Sequence, residues 1–324
     1  MIKYKKNLLN LSKIGGANMN YKNIVVILLV ILASGCASQS YHNSNSKDAD
    51  KQVEIKGSDT MVQLVSNLAE AYSSSNPTAK LSVTGGGSGT GIAALINGEV
   101  DIAISSRAIK KDELKQAEKN GITPLGFIIG RDTLSVVVHK DNPVSRLTID
   151  QISKIYRGEI INWNEIGGSD QKISLYGRQS TSGTYIYFLE EVIKGDYSPS
   201  MRNMEGTQAI IDAVKQDKSA IGYVGVGYVV DAEGKQISRI KTISVAKDQS
   251  LQYMSPLDQS KILQYPISRP LFQYVERSAV KDPAIRDFLM YELGNDGQKT
   301  VKESGFFQVT DEEKKINDLL LKEE

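Results

Sequence analysis

From Val53 onward the chain switches repeatedly between two hydrophobic rhythms. Residues 52–56 read as a short strand. Val62, Val65, Leu68, Ala69 and Tyr72 then recur at helical spacing, and Asn76-Pro77 ends that pattern. Ser58, Asp59 and Thr60, which precede it, are helix-capping residue types. Residues 81–84 read as a strand, 85–91 as a Gly-rich loop and 92–97 as a short helix closed by Gly98. A strand over 100–105, a polar amphipathic helix over 112–120, and apolar strands over 125–129 and 134–139 follow. Thr148 then caps a helix carrying Ile149, Ile152, Ile155 and Tyr156, with Gly158 behind it. Strands are expected over 173–177, 220–224 and 271–275, helices over 185–193, 209–214 and 283–293, and a late turn at Gly305-Phe306-Phe307. No internal repeat interrupts the series.

Regular alternation of strand and helix predicts an α/β fold, with parallel sheets covered by helices on both faces. With 324 residues there is material for two compact bodies. Segments 53–133 and 270–324 are expected to build one lobe, with 134–269 inserted as the other.

The amino end follows neither rhythm. Residues 24–33 form an unbroken apolar run, too short for a membrane-spanning helix but of the length of a signal-peptide core. Lys22 supplies the charge before it, and Met19 is a suitable start for such a signal, so residues 1–35 are expected to be a signal peptide. The run ends at Leu32-Ala33-Ser34-Gly35-Cys36, which resembles the lipobox of secreted lipoproteins, with Leu32 one position further from the cysteine than usual. Cys36 is the only cysteine, so no disulfide forms within the chain, and a lipid on its thiol is the expectation. Residues 37–52 are polar and aperiodic, the pattern of a tether. The expected location is the outer face of the cell membrane.

Removing residues 1–35 takes away five lysines and no acid, leaving 34 basic against 38 acidic groups, a balance of −4. That balance argues against a nucleic-acid partner. An anion, if bound, must be held by local geometry.

Four loops offer such geometry. They are Gly57-Ser58-Asp59-Thr60-Met61, the stretch Gly85 to Gly91 containing Ser88 and Gly89, Ser105-Ser106-Arg107, and Gly177 to Thr184, which holds Arg178, Ser182 and Gly183. Three lead into helices and one leaves a strand. Helix amino termini expose unpaired N–H groups and partial positive charge, which suit an anion. Ser and Thr add hydroxyl donors, and glycine admits close backbone approach. Arg107 and Arg178 add planar forks that match two oxygens of an oxyanion. Each loop alone reads as an ordinary cap or turn; four of one character at strand ends point to a ligand site.

Other chemistries find little support. Gly89-x-Gly91-x-x-Ala94 fits a dinucleotide loop weakly, and Asp101 comes too early for its acidic partner. The only histidines are His42 and His139, no G-x-S-x-G elbow exists, and no Cys/His cluster or phosphate-binding P-loop is present. No cofactor or metal is expected, and the protein is read as a non-enzyme. Trp163, Tyr223 and Tyr228 read as packing or hinge-side residues, and 312–315 as a solvated helix face.

The same loops carry a resemblance. With Gln151-Ile152, Ile155-Tyr156, Gly158, Ile160 and Asn162-Trp163, and with 220–228 and 265–274, they resemble the phosphate-binding proteins that feed ABC-type phosphate importers, over nearly all of 53–310. The resemblance implies a type II periplasmic-binding-protein fold: two lobes joined by two crossing strands, closing on one anion and docking to a membrane permease, as a monomer. It assigns anion contacts to Thr60, the backbone of Met61, Ser88, Gly89, Arg178, Ser182, Gly183 and Thr184, to which Ser58, Ser106 and Arg107 are added as neighbours in the same loops. Two positions depart from the family: Arg107 and Ser180 stand where well-known members carry acids. The first of those acids accepts the proton of hydrogen phosphate, which sulfate lacks. Asp59 is the nearest substitute acceptor, or else a helix cap. Sulfate or another oxyanion is therefore the alternative ligand. A surface phosphatase and a sensory or adhesive protein of the same fold are the alternatives of other classes.

Overall fold

The computed structural model describes residues 51–231 and 233–322. The expected signal peptide, Cys36 and nearly all of the tether lie outside them. Five strands build a first sheet in the order β2-β1-β3-β12-β4: β1 (Gln52–Gly57), β2 (Lys80–Thr84), β3 (Ile102–Ser105), β4 (Pro124–Thr133) and β12 (Ser268–Glu276). Five more build a second, β10-β5-β9-β7-β8: β5 (Ser135–His139), β7 (Ser174–Arg178), β8 (Arg202–Met204), β9 (Ala220–Val224) and β10 (Ile240–Thr242). Strands β6 (Arg146–Thr148) and β11 (Ser244–Ala246) pair beside it.

Both sheets have apolar residues on each face, as covered sheets require. On the first, helices α1 (Val62–Ser75), α7 (Pro283–Leu293) and α8 (Asn295–Glu303) contribute Leu64, Leu68, Phe288 and Val301 to a core with Ile55 and Phe127, and Leu320 of α9 (Asp311–Leu320) packs against it. On its other face α2 (Ser88–Ile96) and α3 (Lys111–Lys119) place Ile92, Leu95 and Ala117 against Ala103 and Tyr274. On the second sheet, α6 (Thr207–Gln216) covers one face with Ile210 and Val214. The other face is covered by α4 (Ile149–Arg157) and α5 (Gly183–Phe188), with Ile152, Ile155, Tyr156, Phe188 and Trp163. Each such side chain, fully buried, is worth roughly 1.5–3 kcal/mol. Trp163 is a packing residue, its indole N–H donating to Ser219 O at 2.9 Å.

The sheets are mixed, where alternation alone had suggested parallel ones. β12 runs antiparallel between β3 and β4, and β5 runs antiparallel to both its neighbours. The reason is the double crossing. The chain leaves the first sheet at Thr133, enters the second at Ser135, and returns at Ser268. The two crossings touch: Thr133 pairs with Ser268, and Leu134 N–H donates to Ile267 O at 2.8 Å.

Local signals placed most ends. Thr148 caps α4, its hydroxyl accepting from Gln151 N while Gln151 reaches back, and Gly158 closes it at φ 79°. The cap expected before α1 is different: Met61 is the residue at that position, and no side chain caps it. The hydroxyl of Thr60 and the carboxylate of Asp59 are used elsewhere. Helix α2 starts at Ser88, so half of the Gly-rich segment is helix rather than loop.

Candidate functional site

The four loops meet between the lobes. Thr60 Oγ1, leaving β1, lies 2.8 Å from Thr184 Oγ1 at the start of α5. Thr184 Oγ1 lies 3.5 Å from Ser106 Oγ, which lies 3.4 Å from Ser88 Oγ. Ser88 Oγ also accepts Ser106 N–H at 3.1 Å. All four residues are buried. Gly183 sits inside this cluster: a Cβ there would fall 2.2 Å from Ser88 Oγ and 2.8 Å from Ser106 Oγ. No side chain fits, so the backbone of the helix start stays against the hydroxyls.

Other predicted residues frame the cluster. Gly89 N–H donates to Thr181 O at 3.0 Å, a backbone bond across the cleft. Gly87, at φ 97°, lets the same carbonyl approach, since a Cβ there would lie 2.6 Å from Thr181 O. Ser58 N–H is taken by Ile104 O and Met61 N–H by Ser58 O, each at 2.9 Å, and the Met61 side chain is in the core. Ser182 caps α5, accepting Tyr185 N–H.

Arg178 is 1% exposed and heavily committed. Nε donates to Met204 O (3.2 Å), Nη1 to Thr207 Oγ1 (3.0 Å), and Nη2 to Glu205 O (2.8 Å) and Asp59 Oδ2 (2.5 Å). Of its five N–H donors one remains. Asp59 Oδ1 accepts Gly86 N–H at 2.9 Å. Asp59 is therefore not a helix cap but an ion-pair bridge from the first lobe to the second. Tyr228 strengthens the bridge, donating to Asp59 O at 2.6 Å; burial pushes its phenol up to about 12, with the charge of Asp59 adding to the shift. An aromatic stack supports the Arg178 loop from below. Tyr223 accepts Arg178 N–H at 3.2 Å and lies 4.0 Å from Phe188, ring on ring.

Arg107 pairs within its own lobe. Its fork grips Glu113 of α3 with both nitrogens, at 2.8 and 2.6 Å. The pair that crosses the cleft is Arg178 with Asp59. A third pair escaped the sequence reading. Asp132 near the end of β4 and Arg269 near the start of β12 are both fully buried, and Arg269 Nη2 lies 2.7 Å from Asp132 Oδ2 and 3.1 Å from Thr184 Oγ1. Their positions are 137 residues apart and sit inside apolar strands, so no local pattern joins them. Three arginine–carboxylate pairs thus ring a cluster of hydroxyls, and their formal charges cancel. With those charges balanced, what the cluster offers an anion is hydrogen-bond donors and dipoles. Among the described residues no group of His, Cys, Asp and Glu could hold a metal ion.

Known proteins share this framework. A family model described as a PBP superfamily domain matches residues 43–296. The chain is 32% identical over 267 residues to the phosphate-binding protein PstS of Pseudomonas aeruginosa, covering 77% of this chain and 80% of the relative. It is 32% identical over 264 residues to PstS of Staphylococcus haemolyticus, covering 80% and 82%. A crystal structure from Clostridium perfringens, described as a phosphate ABC transporter substrate-binding protein with bound phosphate, matches with a TM-score of 0.70 at 27% identity, over 80% of this chain and all of that one. An ABC-type phosphate transport receptor from Vibrio cholerae matches with a TM-score of 0.63 at 27% identity, over 80% and 100%.

Proposed function

The chain belongs to the phosphate-binding proteins of the PBP superfamily, and from that premise we propose that it is an extracytoplasmic receptor that closes on inorganic phosphate and delivers it to an ABC import permease. The observation that carries the reading is the chain of buried hydroxyls Thr60, Thr184, Ser106 and Ser88, drawn from both lobes. Four hydroxyls, the backbone at Gly183 and the remaining Nη1 donor of Arg178 suit a tetrahedral oxyanion. A second oxygen on Arg178 requires Asp59 to yield its place on Nη2. Closure then orders both lobes around the ligand, the step by which a permease would tell a loaded receptor from an empty one.

We propose further that Cys36 carries a lipid that keeps a monomeric receptor at the outer membrane face; the intact mass of the mature protein tests this, since lipidation adds the mass of the acyl groups. Sulfate is the competing ligand, because Arg107 and Ser180 replace two acids of the family pattern. Asp59 is the proposed proton acceptor. Titration calorimetry with phosphate and with sulfate decides between them. Strong heat with phosphate and none with sulfate is expected. In the same assay Arg178→Ala is expected to weaken phosphate by about 30-fold or more, as for loss of a buried charged donor. A change within about threefold would remove Arg178 from the site.

A further inference from the structure

Of the three arginines around the hydroxyl cluster, Arg269 is the one that hydrogen-bonds to a hydroxyl of the cluster, through Nη2 to Thr184 Oγ1. It is 1% exposed. Nε and Nη2 both donate to Asp132 Oδ2, at 3.0 and 2.7 Å. Asp132 is itself fixed, because its Oδ1 accepts Val226 N–H at 2.8 Å. The Tyr187 ring covers the guanidinium at 5.2 Å. With two nitrogens pinned and one face covered, the planar group cannot turn. Its third nitrogen, Nη1, is buried and has no hydrogen-bond partner among the described residues. Folds rarely carry such an orphan without a use.

The position of Nη1 suggests the use. It lies beside Nη2, which donates to Thr184 Oγ1 at 3.1 Å. Thr184 Oγ1 is the hub of the cluster, in reach of both Thr60 and Ser106. A hydroxyl that already accepts from an arginine turns its own hydrogen away from it, toward those oxygens or toward a ligand. Arg269 also borders a cavity of about 400 Å³ walled by both lobes, whose other charged lining residues are Arg107, Lys110, Lys111, Glu190 and Glu191.

We propose that Arg269 is an anion-contacting residue of this site, donating from Nη1 to the same oxyanion that Thr60, Ser106 and Thr184 hold, with Asp132 as its positioning residue. The proposal rests on the phosphate reading above. It also adds a link to motion. Arg269 and Asp132 face each other on β12 and β4, one position before the crossing, so a ligand on Nη1 is bonded to the hinge itself.

The test has two arms. In a crystal structure of the intact protein with phosphate, Arg269 Nη1 is expected within about 3.2 Å of a phosphate oxygen; a separation beyond about 4 Å overturns the assignment. By calorimetry, the double variant Arg269→Met with Asp132→Asn removes the pair without leaving a lone buried charge. It is expected to keep a two-state melt and to lose about 30-fold or more in phosphate affinity, with Arg269→Lys recovering part of the loss. A folded double variant binding within about threefold of the parent sinks the proposal, and a loss of affinity supports it only where the crystal structure places Nη1 on the anion. If the double variant does not fold, the crystal structure decides. Phosphate that binds the parent with Arg269 remote refutes this inference alone, whereas a parent silent to phosphate refutes the receptor reading as well.

Discussion

Asp59 is held from two sides, by Gly86 N–H on one oxygen and by Arg178 on the other. Its helix does without it, having no side-chain cap. A carboxylate placed this way balances Arg178 and occupies a donor that the proposed ligand would use. Replacing it with asparagine keeps the Gly86 contact and turns an amide N–H₂ toward Arg178 or the ligand, where no acceptor for a ligand proton is left. Asp59→Asn is therefore expected to narrow the preference for phosphate over sulfate by about tenfold or more, read from competition between the two anions. An unchanged preference would move the acceptor role elsewhere. Thr60, Ser88 and Thr184 were legible in the sequence because Ser, Thr and Gly at strand ends have few other uses in such density. Asp132 and Arg269 were not, because a charge inside an apolar strand reads as a surface residue until its partner is known.

At the scale of elements, α1, α4, α6 and α7 were legible from spacing and end signals, with α4 marked by a capping box and a left-handed Gly158. Strand direction was not legible, since alternation of apolar positions is the same in parallel and antiparallel neighbours. The short strands β6, β8, β10 and β11, of three residues each, are too brief to show a period. One helix–strand contact has a measurable pH signature. Glu292 on α7 is fully buried, and burial raises its pKa well above the ordinary value. Gln273 Nε2 donates to its Oε1 at 2.8 Å, while Glu292 Oε2 and Gln273 Oε1 have no partners among the described residues. A proton on Glu292 removes the buried charge. Because the folded-state value is raised, this stabilisation is full below the unfolded carboxyl pKa and is lost as pH rises through the folded one. Glu292→Gln keeps an acceptor for Gln273 Nε2 and does not titrate. Thermal melts are expected to show the variant more stable than the parent by about 1–2 kcal/mol at alkaline pH, with the gap closing toward pH 4. A gap independent of pH would mean that Glu292 does not titrate in that range.

Across the whole molecule the lobes are held together by Gly89 to Thr181, Thr60 to Thr184, Arg178 to Asp59 and Tyr228 to Asp59. A ligand at the centre of these contacts adds its binding energy to the folded state by mass action. At about 100 times its dissociation constant, phosphate is expected to raise the melting temperature by roughly 5–10 °C, a shift that Arg178→Ala cuts to about a third or less at the same concentration. Scanning calorimetry reads both. The crossing at Leu134 and Ile267 has a further, mechanical consequence. Lys51, the first of the described residues, is clipped to Asp101 and Asp282 of the first lobe, and helix α9 packs on β4 of the same lobe. Any load applied through either end of the folded body is thus borne by one lobe, while the other, joined to it covalently by the two crossing segments, lies outside the line of force. Tension on the ends of the body therefore leaves the lobe that carries Arg178 and Thr184 unstrained.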